Sequence, residues 1–164
     1  MNKQMSRKLA QLIGRIPRER ACLITGDRAI SYEEIISQVD EFFNKYKYLK
    51  GKNVAVIATE RVELAYYLPA LENLARSIFL QPNGMDESVV QRFYDAANIE
   101  FVLCLNNMEV NAEIIKNKEE VNCDAGSDVI WYLATSGTTG EPKMVSYTLE
   151  ALTSAVKKDV AKGE

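Results

Sequence analysis

Asp128-Val129-Ile130-Trp131-Tyr132-Leu133-Ala134 is an apolar run that passes without a break into Thr135-Ser136-Gly137-Thr138-Thr139-Gly140-Glu141-Pro142-Lys143 and then into Met144-Val145-Ser146-Tyr147. The two outer segments have the length and composition of strands, so the middle reads as the loop that joins them. Gly137 and Gly140 permit positive φ and let the backbone approach a ligand closely. Thr135, Ser136, Thr138 and Thr139 offer hydroxyls that can donate to phosphate oxygens without adding a competing charge. Successive N–H groups in such a loop can form an anion-binding concavity, and Lys143 adds a positive charge within one loop length. Three or four charge-assisted hydrogen bonds, each worth about 1.5–3 kcal/mol, would hold a triphosphate. The spacing is not that of a Walker A loop, which needs Gly-x-x-x-x-Gly-Lys-Ser/Thr opening into a helix. Here Pro142 intervenes and the lysine leads into a strand. A plain Ser/Thr/Gly-rich turn between two hairpin strands is the other reading of the same composition.

Upstream, strands and helices alternate. Ala21–Thr25 and Arg28–Ser31 read as two strands around a Gly26-Asp27 turn. Ser31 with Glu34 three residues on matches a capping box, and the helix it opens runs to about Tyr48 with Ile35, Ile36, Val39, Phe42 and Phe43 inward. Asn53–Ala58 is apolar on both faces, as in a parallel sheet. A helix over about 61–75 follows with Leu64, Tyr67, Leu68 and Leu71 inward, and Pro69 is expected to kink or break it. Ser77–Leu80 is the next strand, Asp86 caps a helix to about Ala97, and Phe101–Leu105 is a third strand. Residues 106–127 are polar and poorly periodic and read as an internal linker, with a short helix near 112–118. Thr148 caps a last helix, and a first helix is expected over about 2–14. This order predicts an α/β fold, a mostly parallel sheet with flanking helices and right-handed crossovers.

The chain has 164 residues, 20 of them basic and 23 acidic, for a net charge of −3. That balance argues against a general nucleic-acid surface, which needs clustered excess Lys and Arg, so any anion site must be local. The cluster Arg15, Arg18, Arg20 reads as a solvated connection. The sequence holds no histidine, which removes Ser-His-Asp, Cys-His and His-metal chemistry. Cys22, Cys104 and Cys123 show no metal-type spacing; Cys22 and Cys104 sit in apolar runs and read as small buried hydrophobes. Met1–Ala10 does not read as a signal peptide, and no run reaches membrane-spanning length, so a reducing, cytoplasmic location is expected.

The nine residues 135–143 resemble the signature loop of the adenylate-forming superfamily, which includes acyl-CoA synthetases, peptide-synthetase adenylation domains and luciferases. Every signature position is matched, with Glu141 in a variable slot. The upstream layout is similar as well, from the Ser31-Tyr32-Glu33-Glu34 helix through Val54–Ile57 and Leu68–Leu71 to Gln81-Pro82-Asn83. The resemblance covers about residues 20–155. It implies that a carboxylic acid is activated with Mg-ATP to an acyl-adenylate, with CoA or a carrier thiol as the acceptor. It assigns Thr135, Ser136, Gly137, Thr138, Thr139, Gly140 and Lys143 to the ATP phosphates. The family pattern after the lysine, a Gly and then a Ser/Thr-His pair, is replaced by Met144 and Ser146-Tyr147.

The resemblance further implies that residues 1–164 are one truncated domain, the N-terminal part of a longer ligase, and are inactive alone. The acid pocket, the magnesium ligand and the catalytic lysine would then lie outside this chain. The missing neighbours predict open strand edges and self-association. Two other readings are an amino-acid-activating domain of a peptide synthetase and a non-catalytic nucleotide- or phosphate-binding α/β protein.

Overall fold

Ser31 sets the first long helix: its hydroxyl accepts from the Glu34 N–H at 3.2 Å, while the Glu34 carboxylate accepts from the Ser31 N–H at 2.9 Å. This is the reciprocal capping box expected from the sequence. The computed structural model describes residues 9–26, 28–116, 128–136 and 141–154. In chain order these form α1 (Leu9–Ile13), β1 (Ala21–Thr25), β2 (Arg28–Ser31), α2 (Tyr32–Lys45), a 3-10 turn at Lys47–Leu49, β3 (Asn53–Ala58), α3 (Arg61–Leu74), β4 (Ser77–Leu80), α4 (Glu87–Ala96), β5 (Phe101–Asn106), β6 (Glu109–Ile114), β7 (Ile130–Ser136), β8 (Pro142–Tyr147) and α5 (Leu149–Thr153). Residues 2–8 of the expected first helix lie outside the described residues.

β1 and β2 make a separate antiparallel hairpin, and the other strands form one sheet in the order β6-β5-β3-β4-β7-β8. The inner four, β5-β3-β4-β7, are parallel, and β6 and β8 are antiparallel edges. Alternate residues of each strand face opposite layers. Val54, Val56, Ile78, Leu103 and Trp131 meet α2 and α3 on one side. Ala55, Phe79 and Val102 meet Phe93, Tyr94 and Ala97 at α4 on the other. The result is a mixed α/β architecture with helices on both sheet faces, as the alternation of elements predicts.

Several details differ from the sequence-based expectation. Residues 109–114 are strand β6, paired with β5 from Phe101↔Ile114 to Asn106↔Glu109, so this part of 106–127 is neither linker nor the start of a helix over 112–118. The reason is a two-residue turn at Asn107 and Met108, both at positive φ (52° and 60°), which returns the chain directly along β5. Helix α3 runs through Pro69 without a break. Phe43 is 40% exposed, whereas Ile35, Val39 and Phe42 face the core. Cys22 and Cys104 are half-buried free thiols. No helix among the described residues is long and apolar enough to cross a membrane.

Candidate functional site

The four inner strands are parallel, so their carboxyl ends lie along one edge of the sheet. Helices α3 and α4 leave β3 and β4 there and turn to opposite faces. Ligands of open α/β sheets bind outside such an edge, where successive connections diverge. β7 pairs with β4 up to Leu80↔Leu133 and continues through Ala134, Thr135 and Ser136. It therefore carries the loop beyond the end of β4. β8 returns with Ser136↔Pro142, Thr135↔Lys143 and Ala134↔Met144 in register. The sequence reading of two strands around the loop is thus the observed geometry, with the hairpin stem set at the carboxyl edge.

Of the seven residues expected to contact phosphate, the structure brings together Thr135, Ser136 and Lys143 at the stem. Gly137, Thr138, Thr139 and Gly140 lie outside the described residues. Thr135, Ser136 and Lys143 are all exposed. The Thr135 hydroxyl donates to the Lys143 carbonyl at 3.3 Å, so its proton serves the hairpin and its oxygen remains an acceptor. Thr135 and Lys143 are cross-strand partners and share a sheet face. Among the described residues, no ion pair engages the Lys143 ammonium.

The rest of the edge is built by the segment after β4, which entered the sequence reading only through the resemblance of Gln81-Pro82-Asn83. Gln81 N–H donates to the Val56 carbonyl at 3.0 Å, and the Asn83 amide donates to the Ala58 carbonyl at 2.8 Å. The Tyr94 hydroxyl donates to Gln81 Oε1 at 2.6 Å. Burial, aided by Cys104 and Glu113 nearby, pushes the Tyr94 phenol up to about 12, so it stays a donor at neutral pH. Arg92 of α4 reaches Glu141 at 3.5 Å, an exposed pair that ties the loop's far stem to the helix. No local pattern marks Arg92; only its tertiary contact with Glu141 reveals it. No group of three acidic or cysteine side chains that could hold a metal ion occurs among the described residues.

This architecture is the fold of the N-terminal part of adenylate-forming enzymes. The chain is similar to the N-terminal subdomain of Klebsiella oxytoca NpsA in complex with 3-hydroxyanthranilyl-AMSN, with a TM-score of 0.61 at 21% identity over 88% of this chain and 40% of that one. It is also similar to o-succinylbenzoate CoA synthetase (MenE) from Bacillus subtilis in complex with the acyl-adenylate intermediate OSB-AMP, with a TM-score of 0.63 at 20% identity over 93% of this chain and 46% of that one. The same synthetase in complex with ATP and a magnesium ion matches with a TM-score of 0.63 at 21% identity, over 90% of this chain and 46% of that one. The chain thus spans less than half the length of these structures. No protein-family model matches the sequence, and no curated protein matches it.

Proposed function

We propose that this chain is the phosphate-holding, N-terminal part of an ATP-dependent, AMP-forming acid–thiol ligase. The observation that carries the reading is the position of the loop's stem. A segment resembling the superfamily's signature sits on an extended β7–β8 hairpin, at the carboxyl edge of a sheet whose fold that superfamily shares. In this reading Thr135, Ser136, Gly137, Thr138, Thr139, Gly140 and Lys143 surround the β- and γ-phosphates. A carboxylate oxygen of the acid then forms a bond to the α-phosphorus, and the bond from that phosphorus to pyrophosphate breaks. The loop's work is positioning, together with neutralisation of the charge that grows on the departing pyrophosphate. Lys143 suits that work because it is exposed and has no carboxylate partner among the described residues.

Magnesium would supply further neutralisation of the phosphates when bound, from ligands outside this chain. The acceptor of the acyl group is CoA in this reading, as the name of the matched synthetase suggests; a carrier thiol is the variant that an amino-acid-activating domain would use. The carboxylic acid is held by sequence beyond the phosphate loop. A cytoplasmic setting, where ATP and CoA are available, accords with the free thiols of Cys22 and Cys104.

The test is ATP binding to this chain by calorimetry, with Lys143→Ala and Thr138→Ala variants. Lys143→Ala is expected to weaken binding roughly ten- to hundredfold, the equivalent of one charge-assisted hydrogen bond, with the thermal midpoint unchanged. Equal ATP affinity in wild type and both variants would remove the loop from the site and leave it a structural turn.

A further inference from the structure

The far stem of the loop carries two opposite charges. Glu141 immediately precedes β8, and Lys143 is the second residue of that strand. Cross-strand pairing sets Lys143 opposite Thr135, Val145 opposite Leu133 and Tyr147 opposite Trp131. These residues share the sheet face on which Trp131 is buried with α2 and α3. Tyr132, Ala134 and Met144 lie on the other face, with Phe93 and Tyr94 of α4. One more step of regular strand would put Glu141 beside Lys143 on the same face. There its carboxylate would pair with the ammonium and repel an incoming phosphate.

The carboxylate is drawn to α4 instead. Glu141 Oε2 lies 3.5 Å from Arg92 Nη1, on the helix that covers the opposite face. Both side chains are solvated, 52% exposed for Arg92 and 77% for Glu141. A pair of this kind adds little to stability, so its consequence is where the carboxylate is held.

Arg92 is set up for this contact. Asp95, three positions along α4, is already engaged: it accepts from Lys116 and from the Gln91 amide at 3.3 Å. Lys116 holds the Asp95 carboxyl below the ordinary carboxylate range. The Arg92 guanidinium lies 5.8 Å from the centre of the Phe93 ring, within cation–ring range. Phe93 is buried edge-on against Phe79 of β4, so the platform beneath the arginine is fixed to the sheet. With Arg92 in place the Glu141 charge is matched on the α4 side. Without it, the carboxylate has Lys143 within reach, two residues or about 6.6 Å along an extended chain.

We propose that Arg92 is a positioning residue for the phosphate loop: it holds the Glu141 carboxylate toward α4 and so keeps the Lys143 ammonium free for an anion. This role rests on the reading of the loop as an ATP-phosphate site. It gives Arg92 no contact with phosphate. Arg92 acts through Glu141 alone, so removing the charge of Glu141 removes the need for Arg92.

Two readouts on the whole chain test this. The first needs no nucleotide: the rate at which acetic anhydride acetylates Lys143 at low salt, followed by mass spectrometry. Only the neutral amine reacts, and a carboxylate beside it favours the ammonium. Arg92→Ala is expected to slow Lys143 roughly two- to fivefold, the range of an exposed ion pair. Arg92→Ala combined with Glu141→Gln should restore the wild-type rate. The second readout is ATP affinity by calorimetry. Arg92→Ala should weaken it by a similar factor at low salt, with the difference fading at about 0.5 M salt. The double variant should recover wild-type affinity, and Glu141→Gln alone should bind ATP at least as tightly as wild type. An unchanged Lys143 acetylation rate in Arg92→Ala would overturn the proposal. So would a double variant as weak for ATP as Arg92→Ala, because Arg92 would then touch phosphate itself. Equal ATP affinity in every variant, Lys143→Ala included, would instead remove the phosphate reading of the loop, and the acetylation rates would still decide whether Arg92 holds Glu141 away from Lys143.

Discussion

The two ends of the parallel strands are built on opposite plans. At the amino ends the polar groups satisfy one another. Glu100, 7% exposed, accepts from the Asn53 N–H at 3.0 Å and from Lys52 at 3.2 Å. The Asn53 side chain accepts from Ser77 Oγ at 2.8 Å and donates to the Asn98 carbonyl at 3.2 Å. This network crosses from β3 to β4 and to the start of β5. At the carboxyl ends Gln81 and Asn83 secure the backbone, but Ser136 and Lys143 face solvent and, among the described residues, Glu141 is held only by an exposed pair with Arg92. An end that only has to hold its strands uses its hydrogen bonds internally. The end proposed to receive a ligand keeps donors and charge available.

The largest effect that could break this comparison is on stability. Glu100→Ala leaves Lys52 and the Asn53 N–H without their partner, and a loss of about 2–3 kcal/mol is expected. Urea unfolding measures it, with Lys143→Ala expected to change stability by less than about 0.5 kcal/mol. If the two variants were equally destabilised, the two ends would not differ in kind.

A smaller effect sharpens the contrast through pH. Tyr94 at the carboxyl edge and Tyr67 at the β5–β6 turn have phenols raised from the ordinary value of 10.0 to about 12, in both cases chiefly by burial. A raised folded value means that their contribution is complete below about pH 10 and is lost as pH climbs toward 12. The thermal midpoint should therefore fall across pH 10–12, less steeply in Tyr94→Phe. A midpoint flat to pH 12 would show that these phenols ionise freely in the fold.

The smallest effect concerns the lateral edges. β6 and β8 have no outer partner among the described residues, and Ile114 on β6 is 58% exposed. Such edges support self-association. Light scattering is expected to show a mass that rises with concentration, and a constant monomer mass would count against it.

The parts of this fold legible in the sequence are those with local causes. The capping box at Ser31 and Glu34, the caps Asp86 and Thr148 and the apolar runs 53–58, 77–80 and 101–105 each depend on a few neighbouring residues. β6 was hidden for a different reason. Val110, Ala112 and Ile114 do alternate with Glu109, Asn111 and Glu113, but the apolar set is weak and its turn lacks glycine. Met108 adopts a glycine-like conformation there because Glu63 and Tyr67, more than forty positions upstream, hold its backbone. Pro69 likewise stays within α3 because its helix is buried on the sheet, where packing outweighs one lost hydrogen bond.

For the candidate site, the sequence by itself determined the composition of the loop: two glycines, four hydroxyls and one lysine, flanked by strands. Those properties reside in contiguous residues and need no partner to be read. Tertiary structure alone decided where the loop's stem stands, at the carboxyl edge of the sheet, and which distant group joins it, Arg92 through Glu141. It also decided the open cleft between α2, α3 and the β5–β6 hairpin, whose walls come from segments as far apart as residues 28 and 111. The physical reason is the same in each case. Position and burial are set by which strands pair and which helices cover them, and those choices are energies of contact between segments rather than properties of any one segment.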